Sequence, residues 1–470
     1  MEGISISFTP LTGARGADPS APSSYLLEID DFVFLLDCGW TERFDEAQLE
    51  PLRAVVDRID AVLVSHADLG HVGGLPHAIA HLGLSAPVYA TLPVCKMGQI
   101  VLYDAHQNAA QRGAPAPFAL VDVEDAFKSF NELKYSQSVK LSGKGAGISI
   151  SPHAAGHTLG GALWRIAKES EEVVYAPACN HQKEGHLAAG TLQSFHRPSL
   201  LVASARTALI ALDGRRERER ELLKLVEEAL RGGGDVLVPV DAAGRVLELL
   251  LLLEHHWRST RALHAHPIVL LHRAAEATLE AAKSQIEWMS EEVVTAFDSK
   301  RENSFALRHV RPCASLADCA KIQGPKVVLT TSALLDCGFA SQMLETLADG
   351  QGAAFPEQGA WWLLLFPVSL LGMVYGAVHY RFVSKRIMAN HKTANGIAIT
   401  SRLSAPRIAF IYVFGSFIAY SVLVLGVILL VLGAFVVIGP SAFMGFDLGI
   451  DIETLPIPRA LAILVLAGFY

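Results

Sequence analysis

The chain has 470 residues, with 39 lysines and arginines against 47 aspartates and glutamates, so its formal net charge is −8. This length predicts two or three domains. The acidic balance argues against a generally basic nucleic-acid binder, although it allows a local basic groove. The six cysteines form no C-x-x-C pair, and nothing at the start of the chain is typical of a secretory signal. We therefore expect reduced thiols in a cytosolic or nuclear protein.

The first half of the sequence alternates strand-like and helix-like segments. Ile4–Thr9 has the alternation of an edge strand, and Ser23–Ile29 with Asp31–Leu36 predicts a strand pair that ends at Asp37. Glu46–Asp57 predicts a short amphipathic helix. The apolar run Ala61–Val64 predicts a buried strand, after which the chain reads Ser-His-Ala-Asp-Leu-Gly-His.

Two histidines and a carboxylate beyond a buried strand form a candidate metal site, because imidazole and carboxylate groups are good zinc ligands. Their spacing, H-x-D-x-G-H over His66, Asp68, Gly70 and His71, is similar to the metallo-β-lactamase signature H-x-H-x-D-H. Asp68 stands at the place of the second histidine, and Gly70 at the place of the aspartate. The alternative is that His66 and His71 are ordinary loop histidines.

The later segments add a third histidine and a second α/β unit. His157 lies among glycines, and Leu163–Ala167 with Glu172–Ala176 predicts a hairpin. After the strand Leu200–Ala203 comes a charged helix at Arg215–Leu230. Strands at Asp235–Val240, Ile268–Leu271 and Val327–Thr330 alternate with helices. Gly244 has only a weak likeness to a phosphate loop, because no complete P-loop motif is present.

Six stretches give residues 1–348 a resemblance to a known family: Leu35–Trp40, Val88–Gln99, Ala154–Ile166, Val240–Leu250, Lys283–Ser290 and Pro325–Phe339. They resemble subunit 2 of the cleavage and polyadenylation specificity factor, a non-catalytic metallo-β-lactamase/β-CASP family. The resemblance implies an α/β fold: an αββα lactamase sandwich, incomplete here, with an inserted β-CASP domain. We predict a lactamase-like domain at 1–205, a β-CASP-like domain at 206–348 and a junction at 349–359.

The resemblance also assigns the positions of a degenerate metal centre: Asp37, His66, Asp68, Gly70, His71, His157 and Ala178. Asp37 matches the orienting aspartate, His157 matches a ligand, and Ala178 falls where a metal-bridging aspartate belongs. The last family histidine lies in a portion that this chain does not show. Two-metal hydrolysis needs both ions, so we expect no catalytic residues, no enzyme activity and no cofactor. A single zinc on His66, Asp68 and His157 is the alternative.

The resemblance implies that the chain works in the nucleus as a structural partner. Its expected partners are the catalytic β-CASP endonuclease, the scaffold proteins of the pre-mRNA 3′-end processing complex and pre-mRNA itself. Arg215, Arg216 and Arg245 are candidate contacts to RNA phosphates, with surface solubility as their alternative role. In the family the chain returns to complete the lactamase sandwich. Loss of those strands predicts an exposed sheet edge and aggregation of residues 1–350 alone.

Residues 360–470 differ in composition from the rest of the chain and consist mainly of apolar runs. Ala360–Val378 and Ile408–Ile438 are long enough to span a bilayer, and Ala460–Tyr470 is a third run. We predict two or three apolar helices, or four if the long run forms a hairpin. The loop at 380–407 carries only basic charges, so it should face the cytoplasm. That topology conflicts with a nuclear first part, which favours a fused gene model. If the chain is genuine, a lipid bilayer is a further partner.

Three functional hypotheses follow. The first is a non-catalytic, RNA-binding scaffold subunit of the 3′-end processing complex. The second is an active metal-dependent RNase or hydrolase, which needs ligands that the sequence lacks. The third is a membrane-anchored protein with a lactamase-like soluble domain.

Overall fold

The computed structural model describes residues 4–12, 22–204, 214–331, 335, 338–350, 393–394 and 397–398. The three apolar stretches predicted as membrane spans lie outside these residues, as does most of the basic loop. Within the described part, no helix combines the length and apolar character that crossing a bilayer requires. Of the basic loop, the structure describes two short antiparallel strands, Thr393–Ala394 and Ile397–Ala398.

The first sheet has six strands in chain order: β1 (Ile6–Pro10), β2 (Ser24–Ile29), β3 (Phe32–Cys38), β4 (Ala61–Leu63), β5 (Val88–Thr91) and β6 (Phe130–Leu133). β1, β2 and β3 pair antiparallel, and β3 to β6 pair parallel. The predicted edge strand and strand pair are confirmed. The turn between β2 and β3 includes Asp30 at φ 55°, a left-handed value that aspartate tolerates better than most residues.

Helices cover one face of this sheet: α1 (Glu50–Arg53), α2 (Leu69–Val72), α3 (Leu75–His81), α4 (Leu92–Gln111) and α5 (Leu120–Lys128). The single helix predicted over Glu46–Asp57 is wrong. The chain forms a 3-10 turn at Glu46–Leu49, then α1, then a second 3-10 turn at Val56–Arg58. Pro51 lies in the first turn of α1, the one place where a helix tolerates a missing N–H, so the α-helix begins only at Glu50.

The second sheet also has its strands in chain order: β7 (Val139–Lys140), β8 (Ile148–Ala154), β9 (Ala162–Lys168), β10 (Glu171–Ala176) and β11 (Leu200–Ala203). The predicted hairpin is confirmed as β9 and β10, and β11 adds parallel to β10. Among the described residues β11 has no further strand beside it, and Leu201 is 48% exposed.

The two sheets pack face to face over one apolar core. Phe34, Leu63, Trp164 and Tyr175 all lie in it and are almost completely buried. The Trp164 indole donates a hydrogen bond to the carbonyl of Val64 at 3.0 Å, so the end of β4 is tied to the second sheet. The opposite face of the first sheet packs on the helices. The layers are therefore helix, sheet, sheet.

The rest of the described chain is built on a four-stranded parallel sheet: β12 (Val236–Pro239), β13 (Ile268–Leu271), β14 (Val310–Cys313) and β15 (Val327–Thr330), in the order β12-β15-β13-β14. Its helices are α6 (Arg215–Arg231), α7 (Val246–Ser259), α8 (Ala275–Ser284), α9 (Glu291–Lys300), α10 (Leu316–Ala320) and α11 (Gly338–Gly350). We call residues 4–12 and 22–204 the two-sheet part, and the described residues of 214–350 the parallel-sheet part. They belong to one compact unit and share an apolar core that includes Val101 and Leu250.

Candidate functional site

Asp37 organises the point where the two sheets meet. It is fully buried at the end of β3, with a left-handed φ of 56°. One carboxylate oxygen accepts the Ser65 N–H at 2.7 Å. The other accepts the Ser65 hydroxyl at 2.7 Å and the Tyr175 hydroxyl at 2.6 Å. Burial raises the pKa of Asp37, while these donors oppose the rise. The carboxylate thus fixes the residue before His66.

His66 is buried and leaves one ring nitrogen unused. Its Nδ1 lies 2.9 Å from the Ser65 hydroxyl, while the buried Nε2 has no hydrogen-bond partner among the residues that the structure describes. The ring centroids of His71 and His157 lie 4.9 and 5.8 Å from the His66 ring. Burial and these two imidazoles hold the pKa of His66 well below its usual value, so the ring is neutral near pH 7. The structure therefore brings together all three predicted histidines.

Asp68 is committed to one of those histidines. Its Oδ1 lies 2.7 Å from Nδ1 of His71. Burial alone would raise the pKa of Asp68, but the charge and hydrogen bond of His71 outweigh it and lower the pKa. The carboxylate that stands at the place of the second histidine is thus paired with a neighbouring side chain.

Gly70 serves the backbone of the loop. Its carbonyl accepts the Ser23 N–H at 2.7 Å, which ties the loop to the chain before β2. A Cβ at Gly39 would lie 1.8 Å from the Gly70 carbonyl oxygen, so the two backbones are in direct contact. The loop therefore keeps a tightly packed course although position 70 offers no ligand.

His157 and Ala178 complete the predicted positions. His157 follows Gly156, whose φ is 71° and where an added Cβ would lie 2.4 Å from the nitrogen of Gly190. Glycine is therefore required just before this histidine. Ala178 follows β10 and has no ligand atom in its side chain.

The donor atoms of these residues decide whether the site fits a metal ion. The unused Nε2 of His66 is a ligand atom, yet Asp68 is paired, and the side chains at positions 70 and 178 supply no oxygen. Within the described residues, no group of three or more His, Cys, Asp or Glu side chains is placed to hold a metal ion. The site does not fit a two-metal centre. The binding of a single zinc ion by His66, Asp68 and His157 stays a prediction, which zinc analysis of the purified chain tests.

The parallel-sheet part contributes two further side chains to this region. Sequence patterns did not single out Asp241, and they predicted Arg245 only as an RNA contact. Asp241 follows β12 and accepts the backbone N–H groups of Arg245 and Val246, at 3.3 Å each, before α7. Burial, and then the negative charge of Asp68, raise the pKa of Asp241, so the two carboxyls act on each other across the parts. Arg245 donates to the His157 carbonyl at 2.9 Å and forms an ion pair with Glu184.

The other two predicted RNA contacts have different surroundings. Arg215 donates to the Lys183 carbonyl and pairs with Glu248, both at 2.7 Å, and it also pairs with Glu219. Arg216 is exposed, and no hydrogen bond or ion pair joins it to another residue that the structure describes. A side chain's partners across the fold leave no local signal, so sequence patterns could not separate these arginines.

Comparisons with known proteins match this architecture. A metallo-β-lactamase superfamily domain matches residues 26–210, and a β-CASP domain matches residues 246–354. The protein thus has an α/β metallo-β-lactamase-like fold with a β-CASP domain, as predicted.

Comparison with curated relatives identifies the family within this fold class. Cleavage and polyadenylation specificity factor subunit 2 of Arabidopsis thaliana is 47% identical over 343 residues, which are 73% of this chain and 46% of the relative. The Oryza sativa protein of the same name is 44% identical over 74% of this chain and 46% of its own length. The probable subunit 2 of Drosophila melanogaster is 45% identical over 69% of this chain and 43% of its own length. This chain is therefore a homologue of cleavage and polyadenylation specificity factor subunit 2, and it spans about half the length of these relatives.

Proposed function

We propose that this chain is a non-catalytic subunit of the pre-mRNA 3′-end cleavage and polyadenylation complex. In this role it is a pseudo-nuclease that presents a lactamase/β-CASP surface to its partners. The observation that carries the proposal is the chemistry at positions 68, 70 and 178. Asp68 is paired with His71, and the other two positions are a glycine and an alanine. Two-metal hydrolysis needs ligands for both cations, because each ion stabilises one of the two reacting oxygens.

The intact packing around this centre supports a scaffold role. Asp37, Ser65 and Tyr175 retain a complete hydrogen-bonded junction beneath the histidines. The fold of the site is therefore kept by ordinary polar contacts. The likeness to subunit 2 relatives favours three partners: the catalytic β-CASP endonuclease subunit, the scaffold proteins of the complex and pre-mRNA. It also favours a nuclear location.

Zinc content and RNA cleavage by the purified full chain test the non-catalytic role. We expect that the purified chain does not cleave a 3′-end processing substrate in a chelator-sensitive reaction. The matched control is the variant D68H/G70D/A178D, which restores the two missing carboxylates and a histidine. Two zinc equivalents per wild-type chain, together with chelator-sensitive cleavage, would overturn the proposal.

Co-purification tests membership of the complex. A tagged full-length chain expressed in cells should recover the catalytic subunit and the scaffold proteins from nuclear extract. The tag alone is the control. Recovery of the chain in a carbonate-resistant membrane pellet, without processing factors, would support the membrane-anchored alternative and contradict this proposal.

A further inference from the structure

The segment Asn180–His186 begins two residues after Ala178, where the family resemblance places a metal-bridging aspartate. Its base is fixed in the two-sheet part: the Asn180 N–H donates to the Ala155 carbonyl at 2.9 Å, and the Asn180 carbonyl accepts the Gly190 N–H at 2.7 Å. The Asn180 amide also donates to Glu184 within the segment. The beginning of the segment is therefore anchored to the loops around His157.

The rest of the segment reaches the parallel-sheet part through paired charges. The Glu184 side chain is only 5% exposed and forms an ion pair with Arg245. The Lys183 carbonyl accepts a hydrogen bond from Arg215 at 2.7 Å, and the Lys183 ammonium pairs with Glu292 on α9. Two arginines of the parallel-sheet part thus end on one short segment of the two-sheet part.

Glu248 on α7 forms the second buried link. Its side chain is 6% exposed and accepts the Gly185 N–H, the His186 Nδ1 and the Arg215 guanidinium, each at 2.7 Å. The His186 carbonyl accepts the Ser290 N–H at 2.9 Å, and its ring meets Phe305 edge-on at 5.6 Å. The carbonyl, the Nδ1 and the ring of His186 therefore all contact the parallel-sheet part, while its buried Nε2 has no hydrogen-bond partner among the described residues.

Buried carboxylates are stable only when paired, and removing one partner of such a pair leaves an uncompensated charge. Glu184 has its cationic partner, Arg245, across the boundary between the two parts. Glu248 pairs with Arg215 on its own side of that boundary. Separation of the parts would leave Glu184 without Arg245, and would take Gly185 and His186 from Glu248. The ion pairs thus stabilise the closed arrangement specifically. They also occupy Arg215 and Arg245, the cations that RNA phosphates would otherwise contact.

We propose that Asn180–His186 is an interdomain clasp. It holds the β-CASP domain closed against the degenerate centre and masks Arg215 and Arg245 from RNA. The masking half of the proposal rests on the RNA-binding role proposed above, whereas the closing half stands on the contacts alone.

The closing half is tested by amide hydrogen exchange on the full chain with the variant E184Q/E248Q. These substitutions keep the side-chain shapes and remove both charges. We expect exchange to rise at least tenfold at residues 180–187 and at the start of α7, with little change in the β2–β3 pair. Lys183→Met is the matched control, because it removes only the pair with the 78% exposed Glu292. Unchanged exchange in the double variant would overturn the clasp. If the double variant does not fold, Glu184→Gln alone carries the same test, since it leaves the Glu248 cluster intact.

The masking half is tested by the salt dependence of single-stranded RNA binding. Opening should tighten binding on the order of tenfold and steepen the slope of log K against log salt by about 1.4, as two added phosphate contacts on a single strand require. Adding R215M/R245M to the opened variant should reverse both effects. Raised exchange with unchanged RNA affinity would overturn the masking. If no variant binds RNA, the RNA-binding role fails while the exchange result still decides the clasp.

Discussion

The degenerate centre and the clasp use similar side chains in opposite ways. In the centre, His66 has a buried nitrogen without a hydrogen-bond partner in the described part of the chain, and Asp68 is paired with His71. In the clasp, Glu248 accepts three donors and Glu184 pairs with Arg245. The clasp begins two residues after Ala178, the last position of the centre. This comparison indicates that ionic contacts with the parallel-sheet part stabilise the segment after Ala178.

The largest effect should come from Glu248→Ala, which removes the centre of the clasp. Arg215 would keep Glu219, but the Gly185 N–H and the buried His186 would lose their acceptor. Breaking a buried charge pair on one side costs about 3–5 kcal/mol of unfolding free energy. Denaturant unfolding of the full chain measures this loss. Glu292→Gln, at an exposed pair, should change stability by less than about 0.5 kcal/mol. Equal losses in the two variants would contradict the comparison.

The pH dependence of stability should single out the same carboxylate. Burial by itself raises the pKa of Glu248, but the hydrogen bonds and charges of His186, Gly185 and Arg215 lower it to about 2, from 4.5 in the unfolded chain. A lowered pKa gives stability that is complete above the unfolded value and is lost as the pH falls toward 2. The shift corresponds to about 3 kcal/mol.

Unfolding free energies of wild type and Glu248→Gln, measured between pH 6 and pH 3, check this expectation. The difference between the two proteins should shrink as the pH falls through about 4.5. Subtraction of the two curves removes the acid groups that they share. A constant difference over that range would mean that Glu248 is not the ionised acceptor of the clasp.

A smaller loss is expected in the junction under the degenerate centre. Tyr175→Phe removes the hydroxyl that donates to Asp37 without changing the shape of the core, so it should cost about 1 kcal/mol. Asp37→Asn retains an acceptor for the Ser65 N–H but loses the charge, and it should cost about 1–2 kcal/mol. Thermal or denaturant unfolding measures both. A loss as large as that of Glu248→Ala would remove the contrast between the two regions.

The smallest effect should be that of Arg216→Met. This side chain is exposed and has no ion pair with a described residue, so unfolding free energy should change by less than about 0.5 kcal/mol. If Arg216 contacts an RNA phosphate in the closed protein, the salt slope of single-strand binding should fall by about 0.7. Arg245→Met removes the partner of Glu184 and so loosens the clasp, and it should not lower that slope. A fall in the slope for Arg245→Met would show that the clasp does not mask Arg245.

Several elements could be predicted from local patterns because their causes are local. The β2–β3 pair and the β9–β10 hairpin follow from alternation on either side of a turn, and both are confirmed. The buried run after residue 60 predicted β4 and placed His66 and Asp68 just beyond its end. The failure over Glu46–Asp57 also has a local cause, Pro51, which allows an α-helix only in the piece that it begins. The RNA-contact role of the arginines stays a prediction.

Residue identity alone established that positions 70 and 178 offer no side-chain ligand, since the side chains of glycine and alanine have no donor atom in any fold. It also supported the assignment of the chain to its family, through stretches of consecutive residues. Only the tertiary structure decided how the remaining charges are used. Glu248 meets His186, 62 residues away, and Arg245 meets His157, 88 residues away. Such pairs have no sequence period, because the free energy of a buried charge depends on which partners the whole fold brings within hydrogen-bonding distance.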